Sequence, residues 1–342
     1  MKVIAYSIKV CEKEILTKAN SRKHDITLIS NRLTLDTISY AEGKDAVLVF
    51  ASDDLSTPVL KELKKLGVKF IVTRSTGTDH IDLDEAKRLG IKVANIPSYS
   101  PESIAEHAIT LMLSLCRNIL LAHQQMMEYD FTLDNLVGTT ISDKTVGVVG
   151  FGKTGQALVR ILGGFGCRII VSDIEDVKQK CVKSGAEQVS FNTLLEQSDI
   201  ISFHVPLTEQ TRHMVNSETI PKMKDGVMLI NVSRGAVFNS IDVYNALQRD
   251  KISKVGMDVY EFENQVFFFD HRHDMDRIDD QLLKAFIQHS GVLITPHQAF
   301  LTTEALHIIV ERTIQHLDTW ASGIDAEAAG NSKTDIAKPV II

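Results

Sequence analysis

Cysteine is scarce in this chain of 342 residues: Cys11, Cys116, Cys167 and Cys181 stand far apart, with no paired spacing of the kind that marks a disulfide framework or a zinc site. They read as reduced, mostly buried thiols. Long apolar runs are also missing, since no stretch reaches the roughly 18 uninterrupted apolar residues of a membrane span. The opening Met1-Lys2-Val3-Ile4-Ala5-Tyr6 is a short apolar strand broken by Lys9 and Glu12, without the longer apolar core and small-residue cleavage site of a signal peptide. These absences lead us to expect a cytoplasmic protein with no membrane partner. No basic run is present either: 37 Lys and Arg stand against 44 Asp and Glu, a net charge of −7, so nucleic acid is not an expected partner. Internal repeats and low-complexity tracts are lacking too.

What is there is ordinary globular material, 44% apolar and 24% charged, in a chain about twice the length of a common domain of 100 to 200 residues. The first hundred residues alternate β-branched runs (Val3 to Ile8, Asp45 to Phe50, Lys69 to Thr73, Lys92 to Ile96) with amphipathic stretches such as Leu60 to Leu66, the rhythm of a parallel sheet. Ser100-Pro101-Glu102-Ser103 interrupts it, with Pro suited to a first helical turn and Ser103 to Glu106 at capping-box spacing. A long helix is predicted from there. Ile104, Ala108, Met112, Leu115 and Ile119 recur at helical spacing, and Ala105, Ile109 and Leu120 widen the stripe, so the helix should be buried on much of its girth.

After a polar segment the alternation restarts at Thr145 to Val149, Arg168 to Val171, Ile200 to Phe203, Val227 to Val232, Val255 to Val259 and Val292 to Thr295, about six strands of a second, doubly wound sheet. A last helix, Thr303 to Trp320, follows that sheet and is available to the first domain. The tail from Ala321 is small and polar, and weak order is expected there.

Gly150-Phe151-Gly152-Lys153-Thr154-Gly155 follows a strand and opens a helix, and Asp173 ends the next strand roughly 20 residues on, the order that a dinucleotide fingerprint requires. The first glycine allows the tight turn, the second lets backbone approach a pyrophosphate, and the third lets helix and strand pack closely. Asp173 would accept from the ribose hydroxyls of NAD and repel a 2′-phosphate. His204-Val205-Pro206, Ser233-Arg234-Gly235, Asp258 and Pro296-His297 each fall at the carboxyl end of a predicted strand of the same sheet, where doubly wound folds bind ligands. Singly, each has a plain reading: Arg234 as a surface ion-pair partner, His297 as a turn histidine, Asp258 as a helix cap.

Together these segments resemble the NAD-dependent D-2-hydroxyacid dehydrogenase family, most closely its D-lactate dehydrogenase branch, over nearly the whole chain. The matching stretches are Thr73 to Asp82, Tyr99-Ser100-Pro101, the glycine loop, Asn231 to Gly235, Met257 to Glu263 and Thr295 to Phe300. The resemblance implies that Arg234 holds the substrate carboxylate and polarises its carbonyl, that His297 exchanges the proton, and that Glu263 orients and charges His297. Such a set suits reduction of a 2-keto acid, in which negative charge grows on oxygen as hydride reaches carbon. By the same resemblance the amides of Thr76 and Gly77 would cradle the carboxylate, and Tyr99 and Phe300 would border the side-chain pocket, although core packing would explain both aromatics. Asp258 would meet the nicotinamide carboxamide, with His204, Val205, Pro206, Thr211, Val232 and Ser233 along the cofactor. Leu301 stands where many relatives carry a second aromatic, so the pocket should differ in shape there.

The expected architecture is α/β with two domains: a Rossmann-type NAD-binding domain, residues 100–299, inserted in a flavodoxin-like catalytic domain made of residues 1–99 and 300–342. Closure about Tyr99 to Pro101 and Ala299 to Leu301 should assemble the site and exclude water. The long helix from Ser103 should contribute to a homodimer interface. The expected reaction is reduction of a small 2-keto acid, pyruvate first, to its D-2-hydroxy acid. Alternatives are a bulkier substrate of the 2-hydroxyisocaproate or phenyllactate type, glyoxylate or hydroxypyruvate, and, in a different class, an NAD(H)-sensing binding protein. No metal is expected, and His271-x-His273, within Phe267 to Asp274, is read as part of a surface loop.

Overall fold

A computed structural model of the chain describes residues 1–273 and 278–323; Asp274 of the aromatic loop and the tail beyond Gly323 lie outside them. Two units are resolved by their internal contacts, one made of Met1–Ser100 together with the chain from Leu301, the other of Pro101–Phe300.

In the first unit five strands, β1 (Lys2–Ala5), β2 (Asp25–Leu28), β3 (Ala46–Val49), β4 (Phe70–Thr73) and β5 (Lys92–Ala94), form one parallel sheet in the order β2-β1-β3-β4-β5. Helices α1 (Val10–Asn20), α2 (Thr57–Lys65) and α3 (Leu83–Arg88) make the crossovers. Central β3 is buried at every residue, as a strand covered on both faces must be. Strand β2 was not anticipated: its Asp25-Ile26-Thr27-Leu28 lies at the sheet edge, no residue of it is fully buried, and the segment carries no apolar run.

The second unit opens with α4 (Pro101–Cys116) and α5 (Ile119–Met127) and then winds β6 (Thr145–Val149), α6 (Lys153–Leu162), β7 (Arg168–Ser172), α7 (Lys178–Lys183), β8 (Glu187–Gln188), α8 (Phe191–Gln197), β9 (Ile200–Phe203), β10 (Val227–Asn231), α9 (Ser240–Leu247), β11 (Ile252–Met257), α10 (Gln281–Gln288) and β12 (Val292–Ile294). All seven strands are parallel, in the order β12-β11-β10-β9-β6-β7-β8. The seventh, β8, is only two residues long and left no trace in the sequence pattern. Successive strand residues serve opposite faces. Met228 and Ile230 pack with α4 and α6, while Val227 and Leu229 pack with α8, α9 and α10. The last helix, α11 (Thr303–Ala321), belongs to the first unit, where Trp320 stacks on Phe70 of β4 with ring centroids 4.7 Å apart.

One expectation is corrected. The apolar stripe read as a single helix through Leu120 is two helices bent by 62°. Lys254 Nζ donates to Leu115 O at 2.5 Å and to the side-chain Asn118 Oδ1 at 2.6 Å, Thr139 N donates to Cys116 O at 2.9 Å, and Asn118 adopts a left-handed φ of 50°, so the end of α4 is closed from outside the helix. The girth of α4 is spent inside its own unit, whereas Ile119 and Leu120 on α5 are 53% and 48% exposed. Among the described residues no single helix is long and apolar enough to cross a membrane.

Leu229 sits at 0% exposure in β10, an interior strand of the second sheet. Leu229→Ala should destabilise this unit by about 2–5 kcal/mol through lost burial and a cavity, read as a lower thermal midpoint by circular dichroism.

Candidate active site

The register of the second sheet lines up the carboxyl ends of its strands. Ser172, Val149, Phe203, Asn231, Met257 and Ile294 are Cα partners in succession across β7, β6, β9, β10, β11 and β12. At about 4.8 Å per strand the row runs roughly 24 Å. Within three residues past it lie Asp173, Gly150, His204, Arg234, Asp258 and His297. The order reverses at β6, whose neighbours are β7 on one side and β9 on the other, so the crevice of a doubly wound sheet falls beside the glycine loop.

At that end of the row Gly150 has φ +90°, and a Cβ there would lie 2.5 Å from the His204 carbonyl oxygen. A Cβ at Gly155 would collide with the Gly150 carbonyl oxygen, whereas at Gly152 it would meet open space. Gly152 is the N-cap of α6 and has no side chain to cap the first turn, which Lys153 and Thr154 begin, so the N–H groups of that turn are left for an anion. Asp173 closes the turn by accepting from Phe151 N at 2.5 Å and Glu175 N at 2.9 Å. Its oxygens keep lone pairs for hydroxyl donors. His204 bonds Ser202 Oγ through Nε2 at 2.8 Å, its Nδ1 is buried without a partner among the described residues, and burial lowers its pKa to about 4. Beyond it, Thr211 Oγ1 donates to Pro206 O at 2.6 Å and holds the segment from Val205 in a turn. An uncapped helix end, an open glycine, a carboxylate at the second strand and an orphaned imidazole nitrogen fit a dinucleotide.

The other end carries the ionisable groups. His297 Nδ1 is 2.6 Å from Glu263 Oε1, and Glu263 Oε2 accepts from Tyr260 N at 2.8 Å. Side-chain exposures of 24% and 16% leave the pair reachable but sheltered. His297 itself has φ 53°, a left-handed conformation uncommon for a side-chain-bearing residue and found at sites where geometry is over-determined. Its N–H donates to Asp258 O at 2.7 Å. The Asp258 carboxylate, 1% exposed, accepts from Gln298 N and Ala299 N, each at 2.8 Å. Arg234 follows Asn231, whose Oδ1 accepts from Ser233 N and Oγ and whose Nδ2 donates to Arg234 O at 2.9 Å. Val232 between them is buried in the core. A Cβ on Gly235 would collide with the backbone of Tyr260, so only glycine lets the Arg234 loop lie against the loop bearing Glu263.

Several contributors escaped the sequence reading. Asn231 stood in a quoted segment without a role. Phe268, assigned to a surface loop, lies 5.8 Å from the His297 ring, centroid to centroid, and Phe267 is buried at 8% exposure. Three consecutive phenylalanines were the available signal that this loop is not all solvent-facing. Among the described residues no group of three or more His, Cys, Asp or Glu could hold a metal ion. Phe300 is buried at 8% exposure where the second unit ends. In the first unit Thr76 and Gly77 follow β4, in a loop tied by Thr76 Oγ1 to Ile96 O at 2.9 Å and Asn95 Nδ2 to Thr76 O at 2.7 Å, and Tyr99 is half-buried.

A family model described as D-isomer specific 2-hydroxyacid dehydrogenase, NAD binding domain, matches residues 109–299. D-lactate dehydrogenase of Escherichia coli (strain K12) is 43% identical over 324 residues, 94% of this chain and 98% of that protein. The chain belongs to the D-isomer-specific 2-hydroxyacid dehydrogenase family. Among solved structures, one titled as identifying the pyruvate reductase of Chlamydomonas reinhardtii matches with a TM-score of 0.89 at 38% identity, covering 95% of this chain and 97% of that one. D-lactate dehydrogenase from Aquifex aeolicus, complexed with NAD and lactic acid, matches with a TM-score of 0.84 at 30% identity, covering 94% and 96%. The fold is thus that of a dehydrogenase with a Rossmann NAD domain, the cofactor is NAD, and the reaction interconverts a 2-keto acid and a D-2-hydroxy acid.

The lowered pKa of His204 fixes a pH dependence. An unfolded chain takes up a proton on this ring near its ordinary 6.5, and the folded chain only near 4, so the unfolded state binds more protons between these values. Stability should therefore fall as pH drops from about 6.5 to about 4, and urea midpoints of His204→Asn should fall less steeply over that window.

Proposed function

We propose that this dehydrogenase reduces pyruvate to D-lactate with NADH in the cytoplasm, with His297 as acid and base, Glu263 as its partner and Arg234 on the substrate. The 2.6 Å contact between His297 and Glu263, at the sheltered end of the row that begins with the glycine loop, carries the reading. With Nδ1 engaged by the carboxylate, the ring is oriented and Nε2 is left to exchange a proton with the substrate oxygen. Arg234, always charged, would pair with the substrate carboxylate and draw electron density toward the carbonyl oxygen. Bound NADH supplies the hydride. Gly150, Gly152, Lys153, Thr154, Gly155 and Asp173 would hold its pyrophosphate and ribose, and Asp258, Ser233, His204, Val205, Pro206, Thr211 and Val232 would line it. Thr76 and Gly77 would offer N–H groups to the carboxylate, and Tyr99 and Phe300 would limit the substrate side chain.

A homodimer is part of the same proposal, with its surface at the far end of the expected apolar stripe and beyond it. Outside the core, Ile119, Met126, Met127, Tyr129, Phe131 and Leu133 are 53%, 54%, 70%, 83%, 67% and 80% exposed, all within one short stretch from α5 onward. Such a concentration is unusual on a solvated monomer and fits a second copy of this chain.

Purified protein mixed with NADH and, separately, pyruvate, phenylpyruvate, 2-ketoisocaproate, glyoxylate and hydroxypyruvate should consume NADH fastest with pyruvate and give D-lactate by chiral analysis. A preference for a larger acid would move the substrate, and inactivity with every acid despite NADH binding would favour a sensing protein. His297→Ala should lower kcat by about 10²–10⁴-fold, the usual range for a general acid, and Glu263→Gln should also slow turnover. Light scattering should give twice the chain mass, and the double substitution Met127→Glu, Phe131→Glu should halve it.

A further inference from the structure

Side chains from three segments meet beneath the turn that carries His297. Asp258, at the end of β11, collects that turn: its Oδ1 accepts from Thr295 Oγ1 at 2.6 Å and Gln298 N at 2.8 Å, its Oδ2 from Ala299 N at 2.8 Å, and its carbonyl from His297 N at 2.7 Å. His107, in the second turn of α4, brings Nε2 to 2.9 Å from Thr295 Oγ1 and 3.4 Å from Asp258 Oδ1. The directions of these bonds are fixed. A carboxylate only accepts, so the Thr295 hydroxyl proton points to Asp258; its oxygen then accepts, and His107 Nε2 must carry the hydrogen.

We propose that His107 is a positioning residue for His297, acting through Thr295 and Asp258. Helix α4 is a firm point of attachment, with Ala105, Ala108, Leu111 and Met112 at 0% or 1% exposure. From there His107 orients the Thr295 hydroxyl, and the hydroxyl completes the set of donors that locks the turn on Asp258. Without the Nε2 hydrogen the Thr295 oxygen loses its donor, and the hydroxyl is free to swing toward Met257 O, 3.5 Å away. The turn then loosens under His297, whose ring must stay on Glu263 while its other nitrogen reaches the substrate oxygen, and misplacement on that scale is felt in the proton-transfer step. The same bonds join the two ends of the second unit, since α4 begins at Pro101 and the turn closes at Phe300.

The proposal rests on His297 being the acid and base, and a double-mutant cycle separates the two claims. His107→Ala and His107→Gln are made in the wild type and in His297→Ala, and steady-state NADH oxidation is followed over a range of NADH at saturating pyruvate. His107→Ala should lower kcat about tenfold with KM for NADH within about twofold, and His107→Gln, which keeps an N–H donor, should recover most of that loss. In the His297→Ala background the same change should cost less than about twofold. Equal losses in both backgrounds, or a loss carried entirely by KM for NADH, would overturn the proposal. If His107→Ala does not fold, Thr295→Val breaks the same link and should show the same pattern. A wild-type chain inactive with every 2-keto acid overturns the functional reading, and this proposal with it, whereas an active wild type with an additive cycle overturns the proposal alone.

Discussion

Everything functional in the second unit depends on parallel strands held in register. Because β7, β6, β9, β10, β11 and β12 run the same way and end on a common line, residues far apart in sequence arrive at one edge without any contact designed to bring each pair together. The sheet supplies the coarse placement and short side-chain bonds supply the fine one. Asp173 closes the glycine turn, Asn231 closes the Arg234 loop, and Glu263 and Asp258 close the loops around His297. In each case a carboxylate or amide at or just past a strand end takes up backbone N–H or C=O groups that the ladder no longer serves, while the first-turn N–H groups of α6 and His204 Nδ1 stay open for a ligand.

The two ends of the row differ in their electrostatics. Around the glycine loop the donors are backbone N–H groups at a helix terminus, fixed dipoles that need no proton exchange. Around His297 the groups are titratable, sheltered and mutually bonded. His204 stands between the two, and its depressed pKa keeps it neutral at physiological pH, so of the two histidines in the row His297 is the one whose contacts suit proton transfer.

How much of this the amino-acid sequence disclosed depended on burial. Strands covered on both faces, such as β3 and the first four residues of β10, announce themselves as apolar runs, whereas β2 at a sheet edge and two-residue β8 have no such signature. The break between α4 and α5 was hidden for another reason: apolar periodicity runs straight through Arg117 and Asn118, while the groups that close α4, Lys254 on Leu115 O and Thr139 N on Cys116 O, come from elsewhere in the chain. Apolar spacing does not say whether a face meets its own core, and that of α5 does not: none of its residues is fully buried. The glycine fingerprint was legible from local order alone. The link between Glu263 and His297 was not; only the family resemblance joined them, since the intervening segment carries no signal of their approach. The part His107 plays had no sequence signal, because a histidine on a buried helix face looks the same with or without a bonded partner.

The discontinuity of the first unit also bears on how the chain is made. The second unit is one continuous segment and can complete its sheet while synthesis continues, but Trp320 must stack on Phe70 and α11 must lie along α1 before the first unit is whole. The earliest residues to leave the ribosome therefore wait for almost the last. Until α11 appears, the face of β4 that it covers, where Phe70 meets Trp320, stays open, so the first unit closes last although it begins first.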